Sequence, residues 1–334
     1  MQPSARRPSQ LGLRIAAALL AAALVPAGAR AQTALKFGHI VGPDHPIHIG
    51  ATAMAEAVAR CSNNQLKVDI FPGGQLGSEA ALNDQIRIGG VDFANSGAAF
   101  FSRDYPQLGI SSVPYVFRDR NHAIAYVKSD VLRELMDGWD KQTGQIMLAA
   151  YYSAAFHVYG QEPFQTPDAI KGKKIRVPDA PAWMTFYRAV GATPVPMALG
   201  EVYLGLRQGV IDGTNMPLAV GYSTKLHEVT KVISMTGHQM EIAMLITGAH
   251  LKRRLPAEQW KCVQEGGVVY GQRAQAAIIE GEDALREKFV KENLIRVVDV
   301  DVAAYQKATS SLIDDKVKAG EYPQALVDRI RAIR

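Results

Sequence analysis

Two cysteines, Cys61 and Cys262, are all that this 334-residue chain contains. They stand far apart and have none of the short paired spacings of a structural zinc site. An oxidising compartment permits a disulfide between them, and two free or buried thiols stay equally open, because sequence separation says nothing of bonding reach. The chain also has no Gly-x-Ser-x-Gly elbow, no Walker loop and no Gly-x-Gly-x-x-Gly after a strand. Gly73-Gly74-Gln75-Leu76-Gly77 is glycine-rich, but its spacing is that of a plain turn. Without a nucleophile–base pair or a metal set, an enzyme has no support.

An excess of charge is missing too. The chain has 37 Lys+Arg against 32 Asp+Glu. Four of the arginines (Arg6, Arg7, Arg14, Arg30) lie in the first 31 residues, which have no acid, so the remainder carries 33 against 32. That gives a basic patch for nucleic acid or anionic lipid no compositional support. Beyond residue 31 no apolar run approaches the ~20 helical residues that a bilayer requires.

What is present begins with a leader. Arg6, Arg7 and Arg14 precede an apolar run from Ile15 to Val25, then Pro26, then the small-x-small triplet Ala29-Arg30-Ala31. This is the pattern of a secretory signal peptide, with cleavage expected after Ala31 and the periplasm as destination. The rest is long enough for two domains.

Along it, strand-like and helix-like periods alternate. Ala34–Ile40 reads as a strand, Ala51–Arg60 as a helix and Leu66–Ile70 as a strand. Ser78 caps a helix that ends at Gly89-Gly90, and Val91–Ala94 is a short strand. Strands at Gln145–Tyr151, Lys174–Val177 and Val210–Asp212 alternate with helices at Ala182–Val190 and Glu201–Gln208, with Thr166 capping a short helix behind Pro167. This spacing argues α/β architecture with largely parallel pairing. From Pro256 to about Asn293 the residues favour helix, with Gly266, Gly267, Gly271 and Gly281 placed to bend or interrupt it. Helices over Asp301–Lys318 and Tyr322–Ile330 finish the chain.

Two groups invite chemistry. His39, His45 and His48 raise the question of a metal, but with only Asp44 nearby they read as rim or surface histidines, and no metal is assigned. Arg176 sits in the strand Lys174–Val177 with its side chain opposite to Ile175 and Val177. Such a guanidinium suits a bidentate grip on a ligand carboxylate, and an internal ion pair with Asp or Glu is the equal alternative.

The chain resembles the substrate-binding subunits of tripartite ATP-independent periplasmic (TRAP) transporters, the DctP-like family. The resemblance is carried in order by Leu35–Ala51, Leu66–Glu79, Val113–Phe117, Thr166–Pro178, Gly191–Met197, Glu201–Gly213 and Gly237-His238. It implies a periplasmic-binding-protein-like fold: two α/β domains around a ligand cleft, hinged by strands and a long C-terminal helix. The expected division is 32–153 with about 242–281 as the first domain, and 154–241 with about 282–334 as the second.

It also implies that Arg176 anchors the carboxylate of a small organic acid. The integral membrane partners would be a small and a large subunit, and no cofactor is required. Presentation of the ligand to a receptor kinase is the alternative role, and a sugar acid the alternative ligand.

Departures from the family pattern bear on the ligand. Ala155 or Phe156 stands where many members carry a second arginine, and Asn215-Met216 replaces an acid followed by asparagine. A pocket changed in this way strands the second charge of a dicarboxylate, so a monocarboxylate with an apolar or aromatic body is expected. The same alignment adds Asn95, Ser96, Glu79, Tyr152, Phe156, Asn215, Met216 and His238 as ligand-binding candidates. Glu79 has helix-dipole stabilisation as its structural alternative, Tyr152 and Phe156 have core packing, and His238 has a buried hydrogen bond.

Overall fold

The computed structural model describes residues 32–334, so the expected leader at 1–31 lies outside the described residues. Nine strands form one mixed sheet: β1 (Thr33–Gly38), β2 (Leu66–Phe71), β3 (Phe93–Gly97), β4 (Gln145–Gly160), β5 (Lys174–Val177), β6 (Thr193–Pro196), β7 (Gly213–Pro217), β8 (Val232–Gly248) and β9 (Arg296–Val298). Their order is β2-β1-β3-β8-β4-β7-β5-β6, with β9 beside β8. β1 pairs in parallel with β2 and β3, and β5 does the same with β6 and β7. The long strands β4 and β8 run antiparallel to each other through the middle and carry the chain between the two parallel sets. Their register shifts three times, between Met147 and Ala149, Tyr152 and Ala154, and Phe156 and Val158. Irregularities of this kind increase the local twist and bend a strand pair.

β3 and β7 begin later than the apolar patterning suggests. Asp92 and Asp212 lead into them, and each carboxylate accepts the backbone N–H of the neighbouring first strand, Lys36 N and Lys174 N, at 2.7 Å. Asn95 and Ser96 therefore lie within β3 and Asn215 and Met216 within β7. The polar strand ends escape hydropathy because they point at a cleft or its supports.

Helix Pro46–Cys61 packs along helix Ala257–Lys291, which runs unbroken for 35 residues. Its glycines permit close approach, where the sequence pattern suggested interruption. A Cβ on Gly266 would lie 2.5 Å from Val58 Cγ2, and one on Gly267 would lie 2.8 Å from Leu148 Cβ. Cys61 and Cys262 form a disulfide joining the end of the first helix to the start of the second.

Three hydrophobic clusters fill the interior. The largest surrounds β1–β3 and the adjoining halves of β4 and β8; the others surround β5 and β7. The expected division assigns all of 282–334 to the second unit. Tyr322, Leu326, Val327 and Ile330 instead belong to the first cluster, because helix Gln324–Ala332 lays its apolar face on helix Asp130–Thr143. Asp301–Lys318 is two helices, Val302–Ala308 and Ser311–Lys318. Thr166 makes no capping hydrogen bond through its side chain, so Pro167 alone marks the start of that helix.

Candidate ligand-binding cleft

A cleft of about 760 Å³ opens between the two parallel strand sets, within the size range of sites that enclose small molecules. One wall comes from the β1–β3 side and β8, with Glu79, Asn95 and Glu241. The opposite wall comes from the β5–β7 side, with Arg176, Trp183 and Met216, and Phe156 from β4.

Arg176 is the third residue of β5 and is 4% exposed. Its Nε donates to the Met197 carbonyl at 2.9 Å. Among the described residues no carboxylate comes within 4.0 Å of the guanidinium, and its terminal nitrogens donate to no protein acceptor. Burial pulls its pKa down to about 10, with the charge of Glu79 opposing that shift. An arginine shut away from water without a counter-ion is costly by several kcal/mol, on the order of the desolvation penalty of one ion. The internal ion pair, which the residue pattern left open, is not formed here.

Glu79 is the first residue of helix Glu79–Ile88, capped by Ser78. Its Oε1 accepts from Ser96 Oγ at 2.9 Å and from Gly97 N at 2.8 Å. Burial raises its pKa, while those two donors and Arg176 pull it down. Asn95 also faces the cleft, and its Oδ1 accepts from Tyr151 OH at 2.6 Å and from Tyr270 OH at 2.8 Å. Such a fully occupied acceptor is held in one orientation. Phe156 packs on Trp183 with ring centroids 4.6 Å apart, and Met216 completes that apolar wall.

Four expected residues take other places. Ser96 does not line the cleft; its hydroxyl supports Glu79 and accepts from Asn83. Asn215 is fully buried on the far face of β7, since successive strand residues point to opposite faces and Met216 takes the near one. Tyr152 donates to both carboxylate oxygens of Glu282 at 3.0 Å, tying β4 to the long helix. His238 is buried, stacked on Phe186 at 4.0 Å, with Nδ1 2.7 Å from Thr236 Oγ1. Its role here is structural.

His39 and His45 are not on the surface: both are buried, and His45 lines the cleft. His39 and His48 share a hydrogen bond of 3.1 Å, and His45 Nδ1 caps helix Pro46–Cys61 by accepting from Ile47 N. Burial brings the His39 pKa to about 4 and the His45 pKa to about 3, so both are neutral. Among the described residues no group of three or more metal-ligating side chains is suitably arranged.

Trp183 and Glu241 line the cleft without having been anticipated. Trp183 lies on a helix face that sequence spacing does not orient. Glu241 carries a readable signal: a lone acid in the otherwise apolar stretch Met240–Ile246 of β8.

Residues 37–319 match the model of the bacterial extracellular solute-binding proteins, family 7 (DctP). A solved TRAP periplasmic solute-binding protein from Bordetella bronchispeptica, with ligand density assigned as pantoate, superposes with a TM-score of 0.85 at 29% identity, covering 91% of this chain and all of that one. The sialic acid-binding periplasmic protein SiaP of Vibrio cholerae is 26% identical over 86% of this chain and 89% of its own length. An uncharacterised protein of Sinorhizobium fredii is 29% identical over 86% of this chain, which spans about half (53%) of that longer relative. No helix among the described residues is long and apolar enough to cross a membrane.

Proposed function

Since the chain belongs to family 7 of the bacterial extracellular solute-binding proteins, non-enzymatic components that bind small organic acids for TRAP transporters, we propose that it captures a small monocarboxylate through Arg176. It then delivers that acid to a small and a large integral membrane subunit. Residues 1–31 would direct its secretion to the periplasm and be removed by cleavage after Ala31. The observation that carries this reading is a buried guanidinium, without an internal counter-ion, facing a cleft of ligand size.

A carboxylate supplies two acceptors in the plane of the guanidinium fork and neutralises its charge. Phe156, Trp183 and Met216 offer the body of the ligand an apolar wall. A second carboxylate would enter a cleft that already holds Glu79 and Glu241 with no second arginine, so dicarboxylates are disfavoured. Pantoate and sialic acid, named for two relatives, each carry a single carboxylate, which supports the same choice.

The moving parts in this reading are 32–153 with about 242–281, joined by the terminal helix, and 154–241 with about 282–321. β4, β8 and the long helix connect them. Closing over the anion excludes water and strengthens the ion pair, so the closed form is favoured only when loaded.

A thermal-shift screen with isothermal titration tests the proposal. Small monocarboxylates should raise the melting temperature saturably, since a ligand of the folded state stabilises by about 2.7 kcal/mol at 100 times its Kd. Succinate and malate should fail at micromolar concentrations. Micromolar binding of either would contradict the monocarboxylate assignment.

A further inference from the structure

Glu241 is a second buried ionisable group of the cleft, and the carboxylate anchor at Arg176 leaves its role open. It lies on β8 opposite Ala154 of β4, two residues before Ala243, which pairs with Gly97 of β3. The residue is 5% exposed and lines the cleft. Its Oε2 has only a long contact of 3.4 Å from Gln239 Nε2, and its Oε1 has no hydrogen-bond partner among the described residues. The position is shaped for it: a Cβ on Gly97 would sit 2.2 Å from that same Oε1, so the carboxyl occupies space that only glycine leaves.

The neighbouring Glu79 differs. Its Oε1 is already engaged by Ser96 and Gly97 N, both on β3, so its first duty is to brace that strand. Glu241 is only weakly satisfied: burial first, then the adjacent Glu79 charge, raise its pKa well above the usual carboxylate range, and the Ala98 N–H and Gln239 offset this only in part. A buried carboxyl oxygen without a donor is destabilising unless a donor arrives. No Lys or Arg lies within ion-pair distance of it among the described residues. Arg176 and Glu241 are thus a buried cation and a buried acid in one cleft, neither fully satisfied and not paired with one another.

Building on Arg176 as the carboxylate anchor, we propose that Glu241 is a specificity-determining residue that requires an O–H or N–H donor on the bound acid. The ligand is then a monocarboxylate with one polar, donor-bearing end, hydroxyl or ammonium, and not an acid whose body is apolar throughout. The apolar wall of Phe156, Trp183 and Met216 covers the carbon skeleton between the two ends. The polar end also explains why the cleft retains Glu241 at all, since a nonpolar residue would suit an alkyl or aromatic acid better.

Matched sets of probes test this by titration: unsubstituted, terminally hydroxylated and terminally aminated acids of equal chain length, from propanoates to hexanoates. At the best length, a hydroxy or amino acid should bind about tenfold more tightly than its unsubstituted counterpart, the upper end of what one hydrogen bond contributes. The winning arm identifies the donor. In Glu241→Met, which preserves length and removes the acceptor, that preference should fall to within about twofold, with the melting temperature of the empty protein confirming its fold. Equal or tighter binding of the unsubstituted acids to the wild type would overturn the proposal, as would a preference that survives Glu241→Met. Arg176→Ala separates the two levels. If it abolishes binding while the preference ignores Glu241, only the specificity role fails; if binding persists in Arg176→Ala, the anchor itself fails.

Discussion

The strand sets β2-β1-β3 and β6-β5-β7 repeat one plan, each with its first strand in the centre and a helix in each connection, and they give the cleft opposite contents. The first set and its neighbour β8 present carboxylates and an amide, Glu79, Glu241 and Asn95. The second presents the one arginine of the lining and an apolar surface, Arg176 with Trp183 and Met216, with Asp179 and Glu201 also along that side. Even the entry to the third strand is duplicated, Asp92 and Asp212 holding the same backbone position at the same 2.7 Å. The scaffold is therefore shared, and the asymmetry sits in side chains at the strand ends, where ligands of α/β sheets bind. In the proposed reading a ligand that bridges these walls carries an anion at one end, and its binding would bring the two sets together.

The largest expected effect breaks the cationic wall. Arg176→Ala should weaken binding of the best monocarboxylate by roughly two to three orders of magnitude, as truncating one partner of a buried charge pair does. Arg176→Lys should recover only part of this, because an ammonium lacks the planar fork. Titration calorimetry reads both, and unchanged affinity in Arg176→Ala would remove the asymmetry as an explanation.

The next effect concerns stability. Only the first set is pinned by a disulfide among the described residues, Cys61–Cys262 across a separation of 201 residues. Replacing both cysteines with serine should cost about 2–4 kcal/mol of unfolding free energy in denaturant, with no change in ligand preference.

A smaller difference sharpens the parallel between the two aspartates. Asp92 is buried and also accepts from Arg254 at 2.7 Å, whereas Asp212 is exposed. Asp92→Ala should therefore cost more than Asp212→Ala, about 1–3 kcal/mol against about 1. Equal urea midpoints would show that the duplicated contact dominates both.

The effect that is smallest near neutral pH, and grows on acidification, is a slope with pH at the crossing strands. His157 Nδ1 accepts from Gly237 N at 3.1 Å, and burial, with Arg286 adding to it, lowers its pKa to about 3. The unfolded chain takes up this proton from about pH 6.5 downward while the folded chain does not, so His157 costs stability as pH falls from 6.5 towards 3. His157→Gln should be less stable than the wild type at neutral pH and should close that gap on acidification. Parallel pH profiles for the two proteins would contradict the buried neutral state.

Much of this was legible beforehand where a local rule forces the answer. Alternation with Ile175 and Val177 separates Arg176 from the core face, and the helix–strand alternation gives the parallel sets. The pairs Asn95-Ser96 and Asn215-Met216 show the limit. Both members of each pair were expected at the ligand, yet adjacent strand residues face opposite ways, and only tertiary placement says which face is the cleft. Tyr152 and His238 turned to internal partners, Glu282 and Thr236, that lie distant or unremarkable in sequence. Glycines in the long helix likewise looked like breaks, because the neighbours they pack against, Val58 of a distant helix for Gly266 and Leu148 of β4 for Gly267, are invisible to local propensity.

The most direct test is a crystal structure of the protein loaded with its best monocarboxylate. The account predicts the two terminal nitrogens of Arg176 on the two oxygens of the ligand carboxylate, with the cleft closed over them. A guanidinium paired with Glu79 or Glu201, and a ligand carboxylate bound elsewhere, would contradict it.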